Sequence, residues 1–297
     1  KCTDILNDAE IAVVHAKRLG GNRIEFYRPA MRAHRSNRQA MAQDLSGALQ
    51  RNEISIVLRP IVRLEDRTIA GFEAVTRWDH PRFGRLPPAD FLPIAEENNL
   101  IADIAIFALD RTAHELAAWQ QALDVRPPIF ATVNITSSQL MRHDLLHDIK
   151  AILTRIPVAP GTLKLEVTEN LILENPEYAS QIMKRMRELG LGLALEGFGA
   201  GHSSLSYLHK LPLSTIKVDR GFARQDHTGT RPAILRSMIS MAHDLGADVI
   251  IDGAESESDS IELYQLGAEY ALGQAFGNPM SVEDARRIMG VSSTKAA

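Results

Sequence analysis

The sequence contains little of several residue types, and each shortage excludes a class of protein. A single cysteine, Cys2, among 297 residues excludes an internal disulfide and a cysteine-based zinc site. No run of about 18 apolar residues occurs, so no segment is suited to cross a membrane. Aromatic residues make up 5% of the chain and hydrophobic residues 45%. We therefore expect a large, mainly aliphatic core, as in a buried parallel sheet.

The net charge and the first residues of the chain give further expectations about binding partners and cellular location. A net charge of −4 predicts no general attraction to nucleic acid or to anionic membranes. No signal peptide is expected, because a helical pattern follows Lys1 directly. The scarcity of cysteine is typical of a reducing cytoplasm, so a cytoplasmic location is expected. The chain begins without Met inside a folded-looking unit, so we expect a longer parent protein, with any membrane attachment made through parts outside this sequence.

The first 52 residues are predicted to form two elements and a linker ahead of the main domain. Residues 4–19 have helical apolar spacing, and residues 23–27 have the composition of a strand. A basic stretch with no acidic residue over 28–43 then runs into a helix. We interpret 31–52 as a solvated linker helix, with a docking surface for a neighbouring domain as the alternative.

Strands and helices alternate through the main domain, assigned to residues 53–292 and followed by a flexible tail at 293–297. Apolar strands at 54–62 and 68–78 are joined by a short polar turn, which favours an antiparallel hairpin. Six further strands are predicted near 129–135, 163–168, 191–196, 214–218, 247–251 and 269–273. Helices are predicted in 88–121, with a turn at 96–99, and near 137–154, 176–189, 203–210, 230–245, 256–266 and 281–290. This alternation predicts an α/β fold, a TIM-like (β/α)8 barrel with an opening antiparallel hairpin.

Oxygen-bearing side chains stand at the predicted carboxyl ends of six strands. They are Glu73, Asn134, Glu166, Glu196, Asp219 and Asp252. Such strand ends meet at one rim of a barrel, and Mg²⁺ and Mn²⁺ prefer carboxylate and amide oxygens. The first four could converge on one ion and the last two on a second, while Lys217 could neutralise charge on a phosphate. Two adjacent ions are a common device for phosphodiester hydrolysis; the alternative for any single acid is a strand-end cap or surface ion pair.

Three other motifs are better explained by structure than by chemistry. His143 and His147 have the spacing of a helical zinc motif but no third ligand, which favours an exposed helix face. The glycines over 197–201 are spaced G-x-G-x-G, not as in a dinucleotide-binding loop. Ser203 and Ser204 lack an adjacent base, so N-capping of the next helix is the better interpretation.

Eight segments of the main domain carry a more specific signal. They are Arg59–Val62, Glu73–Pro81, Phe91–Glu97, Val133–Ile135, Leu165–Glu169, Phe198–Leu205, Lys217–Asp219 and Gly267–Pro279. Together they resemble the EAL domain family, bacterial phosphodiesterases that act on cyclic di-GMP, over residues 53–290. Residues 1–30 resemble the last helix and strand of a GGDEF domain without its signature loop.

The resemblance implies a site that holds two Mg²⁺ or Mn²⁺ ions and opens the cyclic dinucleotide to linear pGpG. It implies that Glu73, Asn134 and Glu166 are ligands of the first metal. Lys217 would be the catalytic lysine, and Glu169 would steady the loop after the fifth strand. Further implied contacts are Arg77 with a phosphate, and Glu255 and Phe276 near a guanine.

The sequence also departs from the family pattern at the same site. The family's Asp-Asp pair is Glu196-Gly197 here, and a catalytic Glu is shortened to Asp252. The other departures are Leu272 and Arg59 in place of Gln, Ala200 in place of Thr, and His202 in place of Tyr. Losing a ligand or misplacing a charge can each cost several kcal/mol of transition-state stabilisation. These changes weaken the expected metal site and the expected hydrolysis.

We therefore interpret the chain as a degenerate, non-catalytic EAL domain in cyclic di-GMP signalling. It would act as a nucleotide receptor, with Arg59 and Arg77 on the phosphates, or as a protein-interaction module using 198–210 or the helix before Glu53. The alternative is a weak Mg²⁺- or Mn²⁺-dependent phosphodiesterase. The resemblance also implies a homodimer.

Overall fold

The computed structural model describes residues 2–18, 22, 24–198, 208–219, 221 and 231–291. Internal packing divides the chain into two units. The larger is made of Ser55–Arg77 and Ala102–Ala297, and the smaller of Lys1–Ile54 and Trp78–Ile101. Residues 78–101 group with the N-terminal segment, and the predicted domain bounds stay a prediction.

The sheet of nine strands consists of a closed eight-stranded barrel and one short edge strand, Gly84–Leu86, which falls in the smaller unit. The strands are β1 Ile54–Arg63, β2 Ile69–His80, β3 Gly84–Leu86, β4 Phe130–Asn134, β5 Leu163–Thr168, β6 Gly192–Glu196, β7 Thr215–Asp219, β8 Asp248–Asp252 and β9 Tyr270–Leu272. Their order is β1-β9-β8-β7-β6-β5-β4-β2-β3, and a β1–β2 pairing closes the barrel. Strand β1 runs antiparallel to β9, whereas β2 and β4 through β9 pair in parallel. The predicted TIM-like barrel with an opening hairpin is confirmed.

Helices lie between the parallel strands and also precede β1 and follow β9. In the described residues they are α1 Cys2–Arg18, α2 Pro29–Leu45, α3 Pro88–Glu97, α4 Ile101–Ala122, α5 Ser137–Leu140, α6 Leu145–Arg155, α7 Glu169–Glu174, α8 Pro176–Glu188, α9 Arg231–Asp244, α10 Glu257–Gln265 and α11 Val282–Ile288. The single helix predicted at 137–154 is two helices, and α7 was not predicted. The helix predicted at 203–210 lies mostly outside the described residues. The described helices include none with the length and apolar character needed to span a membrane.

Alternation along each strand separates an apolar exterior from a partly polar interior. On β5, Leu163, Leu165 and Val167 belong to the main core between sheet and helices. The intervening Lys164 and Glu166 are buried inside the barrel, where Lys164 Nζ donates to Thr215 Oγ1 on β7 at 2.6 Å. Since β5 and β7 are not neighbours, this contact crosses the barrel interior. A strand of period two therefore carries its functional groups inward while its outer face packs against helices.

The middle of the barrel is apolar. A separate buried cluster consists of Ile61, Ala70, Phe130, Ile250 and Leu272. Leu272, at a position where the resemblance implies Gln, is fully buried in this cluster. Polar side chains that follow it along the strands therefore collect at the carboxyl end of the barrel.

The smaller unit contains α1, α2, α3 and the hairpin between the end of β2 and β3. Trp78 packs edge-on against Phe91, with ring centroids 5.9 Å apart, and its Nε1 donates to Glu53 at 3.1 Å. The strand predicted over 23–27 is wrong for the described part of that segment, since residues 24–28 form no strand. A strand is stable only with a partner, and no described strand pairs with these residues.

Candidate functional site

Lys217 lies at the centre of a polar cluster at the carboxyl end of the barrel strands. Its Nζ donates to Glu73 Oε1 at 2.6 Å and to Glu166 Oε2 at 3.1 Å. Oε1 of Glu196 lies 3.4 Å from the same Nζ, and Oδ2 of Asp252 lies 4.0 Å away. The structure thus brings together four of the six predicted strand-end residues around one lysine.

Strand register explains why these side chains share one level of the barrel. Asn134 on β4 stands opposite Glu166 on β5, and Glu196 on β6 stands opposite Lys217 on β7. Each follows a buried apolar residue of the outer face, so period two directs it inward. Glu73 joins them from β2, which pairs with β4, and its carboxylate contacts Lys217 on β7.

Burial and charge set the protonation of the cluster. Burial raises the pKa of Glu166 to about 7, even though the neighbouring Lys217 ammonium favours the ionised form. Burial lowers the pKa of Lys217, but the charges of Glu166, Glu73 and two further carboxylates outweigh it and raise that pKa above its ordinary value. The lysine is therefore a fixed cation, whereas Glu166 exchanges its proton near neutral pH.

Arg59 on β1 supplies a second cation to the cluster. Its Nη1 donates to Glu73 Oε2 at 2.6 Å, and its two terminal nitrogens donate to Asp252 at 2.7 and 3.1 Å. Sequence reasoning assigned Arg59 to a ligand phosphate and missed this pairing. The pairing could have been predicted from the sequence, because the cationic Arg59 replaces a residue that the resemblance implies is Gln, and the acidic Asp252 lies on the same predicted rim.

The carboxylates fit a divalent cation. Glu73, Glu166 and Glu196 each offer an oxygen, and these three oxygens lie within 4.8 Å of one another. Oε1 of Glu166 is buried and has no hydrogen-bond partner of normal geometry. A buried carboxylate oxygen without a partner is costly, and a hard cation is a ligand that would satisfy it. The donor set therefore suits one Mg²⁺ or Mn²⁺ ion.

Two other predicted metal ligands have different surroundings. Asn134 is exposed, and its Nδ2 donates weakly to Glu73 Oε1 at 3.4 Å. Asp219 is exposed, and its Oδ1 accepts the backbone N–H of Gly221 at 2.5 Å. Within the described ranges, Asp219 does not belong to the three-carboxylate cluster, and no second such cluster forms. The second ion at Asp219 and Asp252 stays a prediction.

The predicted nucleotide contacts lie on several loops and strand ends. Arg77 is half-buried on β2, and its Nη1 donates to the carbonyl of Thr76 at 2.8 Å. Phe276 ends the 3-10 helix Gln274–Phe276 and packs against the main core. Glu255 is exposed after β8, and Glu169 is buried at the start of α7. Their roles toward a ligand stay predictions.

The weaker motifs do not enter the site. His143 lies in a turn before α6, and His147 lies on α6; both are exposed and neither joins the carboxylate cluster. Residues 199–204, which include the glycine loop after Gly197 and both candidate capping serines, lie outside the described residues.

A comparison with protein families matches the model described as "EAL domain" to residues 42–279. The bifunctional diguanylate cyclase/cyclic di-GMP phosphodiesterase MucR of Pseudomonas aeruginosa is 30% identical over 281 residues. The match covers 94% of this chain and 41% of that protein. The cyclic di-GMP phosphodiesterase NbdA of the same organism is 31% identical over 281 residues, which cover 94% of this chain and 36% of NbdA. The chain therefore spans less than half of either relative.

Solved structures agree with this assignment. The PaMucR phosphodiesterase in complex with c-di-GMP superposes with a TM-score of 0.77 and 30% sequence identity. The match covers 83% of this chain and 99% of that one.

Proposed function

This chain belongs to the EAL domain family, and we propose that its barrel mouth is a cyclic di-GMP receptor site at which hydrolysis is slow or absent. The observation that carries this proposal is that the described residues form one three-carboxylate cluster, Glu73, Glu166 and Glu196, and that a glycine follows it at 197. Such a site suits one divalent ion, whereas phosphodiester hydrolysis commonly uses two.

The residue at position 197 disfavours binding of a second divalent ion. Gly197 has no side-chain oxygen, and its φ of +71° is a left-handed conformation that favours glycine. Glu196 has the longer side chain of the two acidic types, and its carboxylate already lies 3.4 Å from Lys217. A two-ion site stabilises both the attacking and the leaving oxygen. Losing one such stabiliser typically lowers the rate about 10²- to 10³-fold.

Charge balance supports binding of an anionic ligand once an ion is present. With Glu166 ionised, Glu73, Glu166, Glu196 and Asp252 carry four formal negative charges against the two positive charges of Lys217 and Arg59, which leaves −2. One divalent cation would neutralise this excess, and its chemistry when bound is to attract phosphate oxygens.

Two further side chains suit the parts of a cyclic dinucleotide. Arg77 carries a planar guanidinium, which can bind a phosphate through two parallel hydrogen bonds. Phe276 is half-buried, so its ring is held by the core while one part stays accessible for stacking on a base. Both belong to the residues proposed here to hold the nucleotide.

The test is a calorimetric titration with cyclic di-GMP in Mn²⁺ buffer, with chromatography of the sample after the titration. We expect a saturable heat with the dinucleotide recovered intact. Arg77→Ala should weaken binding at least tenfold, whereas Arg185→Ala, a matched change on the exposed face of α8, should not.

The other outcomes each identify a different function. Steady formation of linear pGpG would favour the weak phosphodiesterase, which the intact Lys217, Glu73 and Glu166 group supports. Absence of any heat in both Mn²⁺ and chelator would overturn the receptor proposal and favour a protein-interaction module.

A further inference from the structure

Arg59 occupies an unusual place at the barrel mouth. It projects from β1, the strand that runs antiparallel to its neighbour β9, and its guanidinium contacts carboxylates on both flanking sides. On β2 it bonds Glu73, and on β8, 193 positions later in the chain, it bonds Asp252. Its side chain is 27% exposed, so most of the contact is shielded from water.

Both carboxylate oxygens of Glu73 already accept hydrogen bonds from cationic side chains. Oε1 accepts from Lys217 at 2.6 Å and Oε2 accepts from Arg59 at 2.6 Å. A divalent ion that uses Glu73 must therefore displace one cation or share an oxygen with it. Either route is opposed by the repulsion between like charges a few ångström apart.

Arg59 keeps its charge under all ordinary conditions. Burial lowers the pKa of the guanidinium, but the hydrogen bond with Asp252 and the charges of Glu73 and Asp252 outweigh it and raise that pKa above its ordinary value. The fork of the guanidinium also binds Asp252 through two bonds, which fixes its position. The mouth thus contains a permanent cation held against Glu73 of the three-carboxylate cluster and against Asp252 beside it.

We propose that Arg59 is a built-in counter-cation, held in place by Asp252, that competes with divalent metal for Glu73. It lowers metal affinity and holds the acids in place when no metal is bound. This inference rests on the proposed use of the carboxylate cluster as a cation site, and it does not depend on nucleotide binding.

The test measures Mn²⁺ binding to chelator-treated protein, without nucleotide, by electron paramagnetic resonance of the free ion. Arg59→Gln removes the competing charge and should tighten Mn²⁺ binding tenfold or more. Arg63→Gln is the matched control, because Arg63 lies on the same strand but pairs with Asp66 in the following turn at 3.0 Å. Its affinity should equal that of the wild type.

Arg59→Lys separates charge from geometry. Lysine keeps the charge but cannot bond two carboxylates with a planar fork. We expect Mn²⁺ affinity about threefold above the wild type, between wild type and Arg59→Gln, since less is needed to displace an ammonium than the three-bond guanidinium. If Arg59→Gln fails to fold, Arg59→Lys still tests the inference. Equal Mn²⁺ affinities for Arg59→Lys and the wild type would overturn it.

Thermal unfolding provides an independent readout. In chelator, Arg59→Gln should melt below the wild type, and saturating Mn²⁺ should raise its midpoint more than it raises that of the wild type, because tighter binding to the folded state stabilises it more. An Arg59→Gln affinity within twofold of wild type would overturn the proposal. Absence of Mn²⁺ binding in every variant would overturn the cation site with it, whereas the nucleotide titration in chelator would still judge the receptor function separately.

Discussion

Nζ of Lys217 lies 2.6 Å from Oε1 of Glu73, although 144 positions separate the two residues in the chain. Their side chains are only 3% and 4% exposed, so each charge is held almost entirely by the other charged groups of the barrel mouth. This pair joins β7 to β2 across the interior. The site is therefore also part of what stabilises the barrel.

Lys217→Met should destabilise the metal-free protein by about 3–5 kcal/mol, because removing one partner leaves buried carboxylates without their cation. Urea denaturation in chelator measures the effect. Lys150→Met, on the exposed face of α6, is the control and should change stability by less than about 0.5 kcal/mol. A small loss for Lys217→Met would show that the cluster is charge-neutral without the lysine.

The metal-free protein should lose stability as pH rises from about 4.5 to about 7, the interval between the ordinary and the raised pKa of Glu166. In that interval the folded state binds the proton and the unfolded state has released it, so the free energy of unfolding falls with rising pH. The loss should be on the order of 2–3 kcal/mol.

Glu166→Gln should flatten this dependence, because glutamine does not titrate. Denaturation midpoints at several pH values in chelator measure both proteins. Excess Mn²⁺ should also reduce the slope in the wild type, since a bound cation favours the ionised carboxylate. A wild-type slope of opposite sign would contradict the proposed protonation of Glu166.

Restoring the acidic pair should raise hydrolysis. The double change Glu196→Asp and Gly197→Asp supplies a second carboxylate, and an added Cβ at 197 meets no atom of the described residues within 4 Å. The left-handed φ of +71° at this position costs aspartate about 1 kcal/mol. We expect the rate of conversion of cyclic di-GMP to pGpG in Mn²⁺ to rise at least tenfold, as measured by chromatography.

Adding Arg59→Gln to this double variant should raise the rate further, because the competing cation is then absent. Adding Arg63→Gln should not. If neither combination hydrolyses cyclic di-GMP faster, Leu272 or Asp252, and not the metal ligands, prevents hydrolysis.

Gly273→Ala should destabilise the larger unit and weaken nucleotide binding. The φ of Gly273 is +150°, and an added Cβ would meet the backbone oxygen of Ala254 and come within 2.5 Å of its nitrogen. The loop that carries Phe276 would have to move. Gly190→Ala is the control, because it has a φ of +97° with open space around it. Thermal unfolding and calorimetry should show a clearly larger effect at 273 than at 190.

Much of the barrel follows from local sequence patterns. The strand predicted at 163–168 matches Leu163–Thr168, because alternating apolar residues mark a strand wherever it lies in the chain. The predicted hairpin between β1 and β2 follows from a short polar turn. The strand at 23–27 was wrong because a strand also needs a partner, and composition carries no information about one. Likewise, the segment predicted as one helix at 137–154 is broken near Met141 by a turn that apolar spacing did not reveal.

By itself, the sequence determined the barrel, its family and the polar residues of its rim. The period of a strand and the residue at its end are local properties, and the barrel topology brings those strand ends together in one site. Only the tertiary structure decided which of these residues meet. Lys217 pairs with Glu73, Arg59 pairs with Asp252, and Asp219 instead accepts a backbone N–H beside it. The physical reason is that charge pairing depends on distances of a few ångström across a closed barrel. Barrel closure sets those distances, and it brings together residues such as Arg59 and Asp252, which are 193 positions apart in the chain.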